Sequence, residues 1–150
     1  MTAVYEKSGL RFLYPENWAL DNREEEGQPW SVSVHSPTEA FWALTVYSGT
    51  QNLNKVGEEM LVALEKEYSD SFFEYRSAQQ EIAGHVVSGY DIDFFYLDFL
   101  VTAKLVTFRI AQDACVVLYQ GEQRDFEKLH LVFEAITHSL LSPDIDSPGN

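Results

Sequence analysis

The sequence has a single cysteine and no long apolar run, and these two absences exclude several classes of protein. With Cys115 alone, no intrachain disulfide can form, so the fold must depend on a buried core. No apolar stretch reaches the ~20 residues that a membrane-spanning helix needs. Residues 1–10 also lack the apolar segment of a signal peptide, so we expect a cytoplasmic protein.

Basic residues are also scarce. The chain carries 24 Asp and Glu against 10 Lys and Arg, which gives a formal net charge of −14. An electrostatic field of this sign repels phosphate backbones and anionic bilayers, so we expect neither nucleic acid nor a membrane as a partner. The charge is compatible with a protein partner, a cation or a neutral ligand, and it also keeps the protein soluble.

Recognisable catalytic motifs are missing as well. Ser88-Gly89 lacks the glycine two residues before the serine that a nucleophile elbow requires, and the glycines form neither a P-loop nor a dinucleotide fingerprint. Cys115 lies in the apolar run of residues 114–118, which is typical of a buried hydrophobic residue and not of a reactive thiol. We therefore predict no enzymatic activity and no cofactor, although a catalytic group that assembles only in three dimensions leaves no such motif.

What the sequence does contain is a series of strand patterns and two amphipathic helices. The predicted strands are residues 9–14, 30–35, 41–48, 72–80, 85–96, 101–110 and 115–120. Short turns separate the last four strands, which favours an antiparallel meander over βαβ units. Apolar residues that recur at intervals of three and four predict helices over residues 52–68 and 123–141, and the second helix must lie on the sheet.

Two short motifs and the order of the elements together carry a family resemblance. The first predicted strand leads into Tyr14-Pro15-Glu16-Asn17-Trp18, and the final helix carries Phe133, Ile136 and Ser139-Leu140. Over about residues 8–141 the chain resembles the PsbP-like superfamily, which includes the extrinsic PsbP protein of photosystem II, a nuclear-import factor that binds the Ran GTPase, and bacterial proteins of unknown role. The resemblance implies a bacterial-type member that acts by binding other proteins, without enzymatic activity.

The resemblance also implies a fold class and a domain organisation. The expected fold is α+β, with an antiparallel sheet of about six to seven strands flanked by two main helices in an α/β/α sandwich. We predict a single domain over residues 1–141, a length that is ordinary for one hydrophobic core. Residues 142–150 contain two prolines, a glycine and little apolar surface, so we predict a disordered tail there.

The most unusual stretch is residues 94–101, where apolar side chains occupy both faces of a predicted strand pair. We predict that the final helix covers one face and that the N-terminal strand with Trp18 covers the other. The alternative cover is a protein partner or a second copy of the chain, because exposed apolar patches mark interfaces. The first functional hypothesis is therefore a non-catalytic protein-interaction module or homodimer. Its predicted partner-binding residues are Phe95, Leu97, Phe99 and Val101.

A pair of carboxylates supports a second functional hypothesis. Asp91 and Asp93 are two positions apart on a predicted strand, which places them on one face about 6.5 Å apart. Two carboxylates at this spacing can share a divalent cation or act as an acid–base pair. A solvated sheet face is the ordinary explanation, since two ligands alone make a weak metal site. The rival hypothesis is a small-ligand or divalent-cation-binding domain with Asp91 and Asp93 as metal ligands.

Overall fold

A computed structural model describes residues 1–23, 30–49, 51–68 and 72–142 of the chain. The strands within these ranges are β1 (Thr2–Lys7), β2 (Leu10–Pro15), β3 (Ala19–Arg23), β4 (Trp30–His35), β5 (Phe41–Tyr47), β6 (Phe73–Ile82), β7 (His85–Tyr96), β8 (Phe99–Ile110) and β9 (Asp113–Glu122). The helices are α1 (Leu53–Tyr68) and α2 (Gln123–Leu141). Residues 143–150 lie outside the described part of the chain, so the disordered tail stays a prediction.

The strands form a seven-stranded antiparallel sheet in the order β3-β4-β5-β9-β8-β7-β6, and β1 and β2 form a separate two-stranded sheet. From β6 to β9 each strand pairs antiparallel with the next in sequence, which confirms the predicted meander. The strands β4 and β5 form a hairpin, which joins this meander through the pairing of β5 with β9. The two outer strands of the large sheet are therefore β3 and β6.

The two helices cover opposite faces of the large sheet, as an α/β/α sandwich requires. On one face, α2 and the β1–β2 hairpin enclose a core that contains Phe12, Trp42 and Phe133, all fully buried. On the other face, α1 packs Leu61 and Leu64 against buried residues of β7, β8 and β9. The α+β fold class with two flanking helices is thereby confirmed.

The predicted cover of residues 94–101 is wrong. Trp18 packs edge-on against Phe133 of α2, with ring centroids 5.8 Å apart, so Trp18 and the final helix lie on the same face of the sheet. The opposite face is covered by α1, whose last residue, Tyr68, stacks on Phe94 at 4.4 Å between ring centroids. The N-terminal hairpin packs beside α2 and so leaves the second face to α1.

Two strands of the structure were not foreseen, and each has a physical reason. The strand β1 pairs with β2 through a turn at Ser8 and Gly9, which have φ of 53° and 83°. A Ser-Gly dipeptide is a recognised signal for such a turn, so this hairpin was open to prediction. Every residue of β3 is exposed, and a strand with no buried face produces no apolar alternation.

An asparagine caps the start of α1. The side-chain oxygen of Asn52 accepts a hydrogen bond from the backbone N–H of Lys55 at 3.1 Å, as an N-cap residue does. The helix then presents Val56, Leu61 and Leu64 to the sheet at intervals of five and three. Its axis is therefore held by a capped first turn and by one buried face.

Candidate functional site

A group of exposed aromatic and aliphatic side chains lies at one end of the large sheet, where β7 turns into β8. Its members are Phe72 (37% exposed), Phe95 (43%), Tyr96 (52%), Leu97 (72%) and Phe99 (60%), which we call the hairpin patch. Phe72 precedes β6, and its ring centroid lies 5.6 Å from that of Phe95. The strand register places Tyr96 and Phe99 on one face of the hairpin and Phe95 with Phe72 on the other, so the patch wraps around the hairpin end. Large apolar side chains exposed at one place, and not singly, mark interaction surfaces.

The hairpin patch is exposed because β7 and β8 are longer than their neighbours. In the strand register, β6 starts opposite Phe94 and β9 ends opposite Val101. Residues 95–100 therefore project beyond the ends of both flanking strands. The chain also turns from β9 into α2 directly after Glu122, which leaves the projecting hairpin uncovered on the α2 face.

The turn that closes this hairpin contains one residue that does not favour it. Leu97 has φ of 51° and Asp98 has φ of 69°, both in the left-handed region. Two-residue hairpin turns of this kind prefer Asn, Asp and Gly, because glycine has no Cβ and the short polar side chains of Asn and Asp hydrogen-bond locally, whereas leucine has neither advantage. A non-glycine residue in this region costs on the order of 1 kcal/mol. Leu97, the most exposed side chain of the hairpin patch, therefore occupies a backbone conformation that leucine does not favour.

Part of the hairpin patch rests on an ordered aromatic support. The ring of Tyr96 meets that of Tyr68 edge-on at 5.4 Å between centroids, and Tyr68 in turn stacks on the buried Phe94. Burial raises the pKa of the Tyr68 hydroxyl, and the neighbouring carboxylate of Glu67 adds to this. Tyr68 is therefore a neutral ring at physiological pH, and it holds Tyr96 in place. A supported patch loses little conformational entropy on binding.

Three of the four predicted partner-binding residues lie in the hairpin patch, and the fourth does not. Val101 is 8% exposed and belongs to the core beneath α1, because it pairs with Phe94 and shares its face. Prediction from sequence missed Tyr96 and Phe72. The proximity of Phe72 to Phe95 follows from the pairing of β6 with β7, which no local pattern reveals.

Asp91 and Asp93 do share one face of β7, but both are already engaged by the chain itself. The Nζ of Lys104 lies 3.5 Å from Asp91, and the guanidinium of Arg76 lies 3.9 Å from Asp91 and 3.8 Å from Asp93. The hydroxyl of Thr102 also donates a hydrogen bond to Asp93 at 3.0 Å. The pair is therefore part of a cluster of two carboxylates, one guanidinium and one ammonium across three strands, and metal binding by Asp91 and Asp93 stays a prediction.

Within residues 1–23, 30–49, 51–68 and 72–142, no group of three or more His, Cys, Asp or Glu is placed to hold a metal ion. Neither of the described helices is long and apolar enough to cross a membrane.

Cys115 is fully buried and free of any disulfide. Burial raises the pKa of its thiol to about 12, an effect that outweighs a backbone hydrogen bond at Ile110. The thiol is therefore protonated at neutral pH and out of reach of a substrate. Its placement in the core beside α2 is the hydrophobic role that the sequence predicted.

No family model and no curated protein sequence matches the chain. Among solved structures, it is similar to the cyanobacterial PsbP (CyanoP) of Synechocystis sp. PCC 6803, with a TM-score of 0.62 and 12% identity over 92% of this chain and 90% of that one. It is also similar to PA94 of Pseudomonas aeruginosa, described as a protein of unknown function and putative regulator, with a TM-score of 0.54 and 12% identity over 93% and 96% of the two chains.

A third similar structure is LpqN of Mycobacterium tuberculosis, described as involved in cell envelope biogenesis, with a TM-score of 0.46 and 12% identity over 91% and 87% of the two chains. At these identities the first two similarities show the fold alone. The chain has a PsbP-like fold, and its function must be argued from its own surface.

Proposed function

We propose that this domain is a non-catalytic protein-binding module that docks a protein partner through the hairpin patch. One observation carries the proposal: residues 95–100 project beyond both flanking strands and expose Phe95, Leu97 and Phe99. A domain that needed these side chains only for its own core would place them beneath a helix, as it does Phe94. The proposal includes the cytoplasmic location expected from the sequence.

The patch has the composition of a binding hot spot. Aromatic side chains dominate the energetics of protein interfaces when they are fully covered, and three of the five patch residues are phenylalanines. Removing apolar surface from water contributes roughly 25 cal/mol per Å². Since Tyr96 is already held by Tyr68, part of this energy is not offset by ordering the side chain.

The chemistry of the partner follows from the surroundings of the patch. Asp98 lies at the tip of the hairpin between Leu97 and Phe99, and the whole chain carries a net charge of −14. Electrostatic complementarity favours a partner that offers an apolar groove with Lys or Arg at its rim. Charge at the rim acts mainly on the rate of association, so binding should weaken moderately with added salt.

The test compares a patch variant with a matched surface variant. The double substitution Leu97→Ser and Phe99→Ser removes two exposed apolar side chains from the hairpin. The control, Val86→Ser, removes one that is 70% exposed at the opposite end of β7. Affinity purification with each form, followed by titration of the purified partner, should show binding by the wild type and the control. The patch variant should bind at least about 30-fold more weakly, which corresponds to the ~2 kcal/mol of a hot spot. Equal binding by all three forms would refute the proposal.

A further inference from the structure

The strand β6 forms an open edge of the large sheet. Within the described part of the chain it pairs with β7 alone. The backbone N–H of Phe95 donates to the carbonyl oxygen of Phe72 at 3.2 Å, so Phe72 points its backbone groups toward β7. Hydrogen bonding alternates along an antiparallel strand, and the register of β6 with β7 is continuous. The residues whose backbone groups point outward are therefore Phe73, Tyr75, Ser77, Gln79 and Glu81.

This edge has few of the usual protections against pairing. Natural sheets blunt their edges with short strands, charged side chains, prolines or bulges, and of these β6 has only charged side chains, which are of both signs. The other outer strand, β3, has five residues, whereas β6 has ten, with an unbroken register and neither lysine nor proline. An edge of this length and regularity is a template for a further strand.

We propose that a second copy of this chain occupies the edge, with β6 pairing antiparallel to β6 about a two-fold axis at Tyr75. A two-fold axis keeps each residue on its own face of the sheet, and directly paired residues share a face. Because faces alternate along a strand, two residues that pair directly must differ by an even number, and their two residue numbers therefore add to an even sum. It follows that one residue lies directly opposite its own copy at the axis. This condition restricts the possible registers.

The charges of β6 select one register among those allowed. Its charged residues are Glu74, Arg76 and Glu81. Arg76 opposite Glu81 gives an odd sum, which the two-fold axis forbids. Arg76 opposite Glu74 gives an even sum, with the axis at Tyr75. This is the one two-fold register within β6 that places opposite charges directly across from each other, and it does so twice.

The contacts in this register agree with the orientation of the backbone. Tyr75 lies opposite Tyr75 of the second copy, and Phe73 lies opposite Ser77 of the second copy. All of these residues point their backbone groups outward, so each pair can exchange hydrogen bonds. Tyr75 is half exposed and rests edge-on against Tyr90 at 5.9 Å between ring centroids. The second tyrosine would extend an aromatic row that already exists.

Intrachain electrostatics favour the same arrangement. In the monomer Glu74 lies directly opposite Asp93, which is a pairing of like charges, and Arg76 of the same strand lies 3.8 Å from Asp93. A guanidinium from the second copy would face Glu74 and relieve this repulsion. In this register Phe72 of the hairpin patch lies three residues from the axis, about 10 Å along the strand, and directly opposite Ala78 of the second copy. The second copy would therefore border the hairpin patch at Phe72. This inference goes beyond the proposed function and does not depend on it.

The experiment exchanges charges across the proposed axis. Sedimentation over a roughly hundredfold range of concentration should show a wild-type dimer. Glu74→Lys places two cations opposite each other, and Arg76→Glu places two anions opposite each other, so each variant alone should be monomeric. An equimolar mixture of the two variants should dimerise, because every charge in the mixed pair then faces an opposite charge.

A stability measurement and further variants serve as controls for this experiment. Glu74→Lys removes the repulsion with Asp93, so its Tm should equal or exceed that of the wild type, which excludes unfolding as the cause of its monomeric state. Tyr75→Pro removes an outward N–H and no bond to β7, so it should abolish the dimer while Tyr75→Thr retains it. The Leu97→Ser, Phe99→Ser variant should dimerise like the wild type. A monomeric wild type, or a dimer lost in the patch variant and kept in the charge variants, would overturn the inference.

Discussion

Replacement of Phe133 by alanine is the sharpest test of how the core is built. Phe133 is fully buried on α2, and its ring lies 4.9 Å from that of Tyr119, 5.6 Å from that of Phe126 and 5.8 Å from that of Trp18. Truncation of a buried phenylalanine costs about 3–5 kcal/mol. Three ring neighbours at once place this residue in the upper part of that range, at about 4–5 kcal/mol.

The measurement is urea or thermal unfolding of Phe133→Ala beside the wild type. For a chain of 150 residues the loss should lower Tm by roughly 10–15 °C. Phe99→Ala is the matched control, because it removes the same atoms from a side chain that is 60% exposed, and it should cost less than about 1 kcal/mol. A Phe133→Ala cost below about 1 kcal/mol, or equal costs for the two variants, would refute the assignment of core and patch.

Three further predictions follow from the turn, the thiol and the carboxylate pair. Leu97→Asn with Asp98→Gly should raise stability by about 1 kcal/mol in urea unfolding, because both residues suit the left-handed turn, and it should weaken partner binding. Burial raises the pKa of the Cys115 thiol to about 12, above its ordinary value of 9.0, so the contribution of this thiol to stability is complete below pH 9 and is lost as the pH rises toward 12. Between pH 9 and pH 12 the free energy of unfolding should fall less steeply with pH in Cys115→Ala than in the wild type, by up to about 1.4 kcal/mol per pH unit. Equal slopes for the two proteins would contradict the burial of the thiol. Ca²⁺, Mg²⁺, Mn²⁺ and Zn²⁺ should leave Tm unchanged, because Asp91 and Asp93 already face protein cations, and a rise in Tm that is absent in Asp93→Asn would support the metal hypothesis instead.

The sequence predicted the elements with a strong period and missed those without one. The bounds of β7 and α2 match residues 85–96 and 123–141, since both elements carry long regular patterns. In contrast, β3 buries no side chain and leaves no pattern to find. The face that each covering element occupies also escaped prediction, because it depends on the path of the chain between elements and not on any local period.

The candidate site was predictable in part for the same reason. Phe95, Leu97 and Phe99 stood out because apolar residues fill both faces of a hairpin end. Their exposure depends on how far β6 and β9 reach along the neighbouring strands, which is a property of register. Asp91 and Asp93 were expected to share a face and do so. Their cations come from β6 and β8, so only the pairing of three strands reveals that the carboxylates are engaged.

The central claim is that the hairpin patch is where a protein partner binds. Site-specific photo-crosslinking tests it directly, with a photoreactive side chain introduced at position 97 or, as the control, at position 86 on the far end of β7. We expect one dominant crosslinked protein from position 97 that is absent from position 86 and is displaced by an excess of unlabelled domain. The same crosslinked products from both positions, or none from position 97, would contradict it.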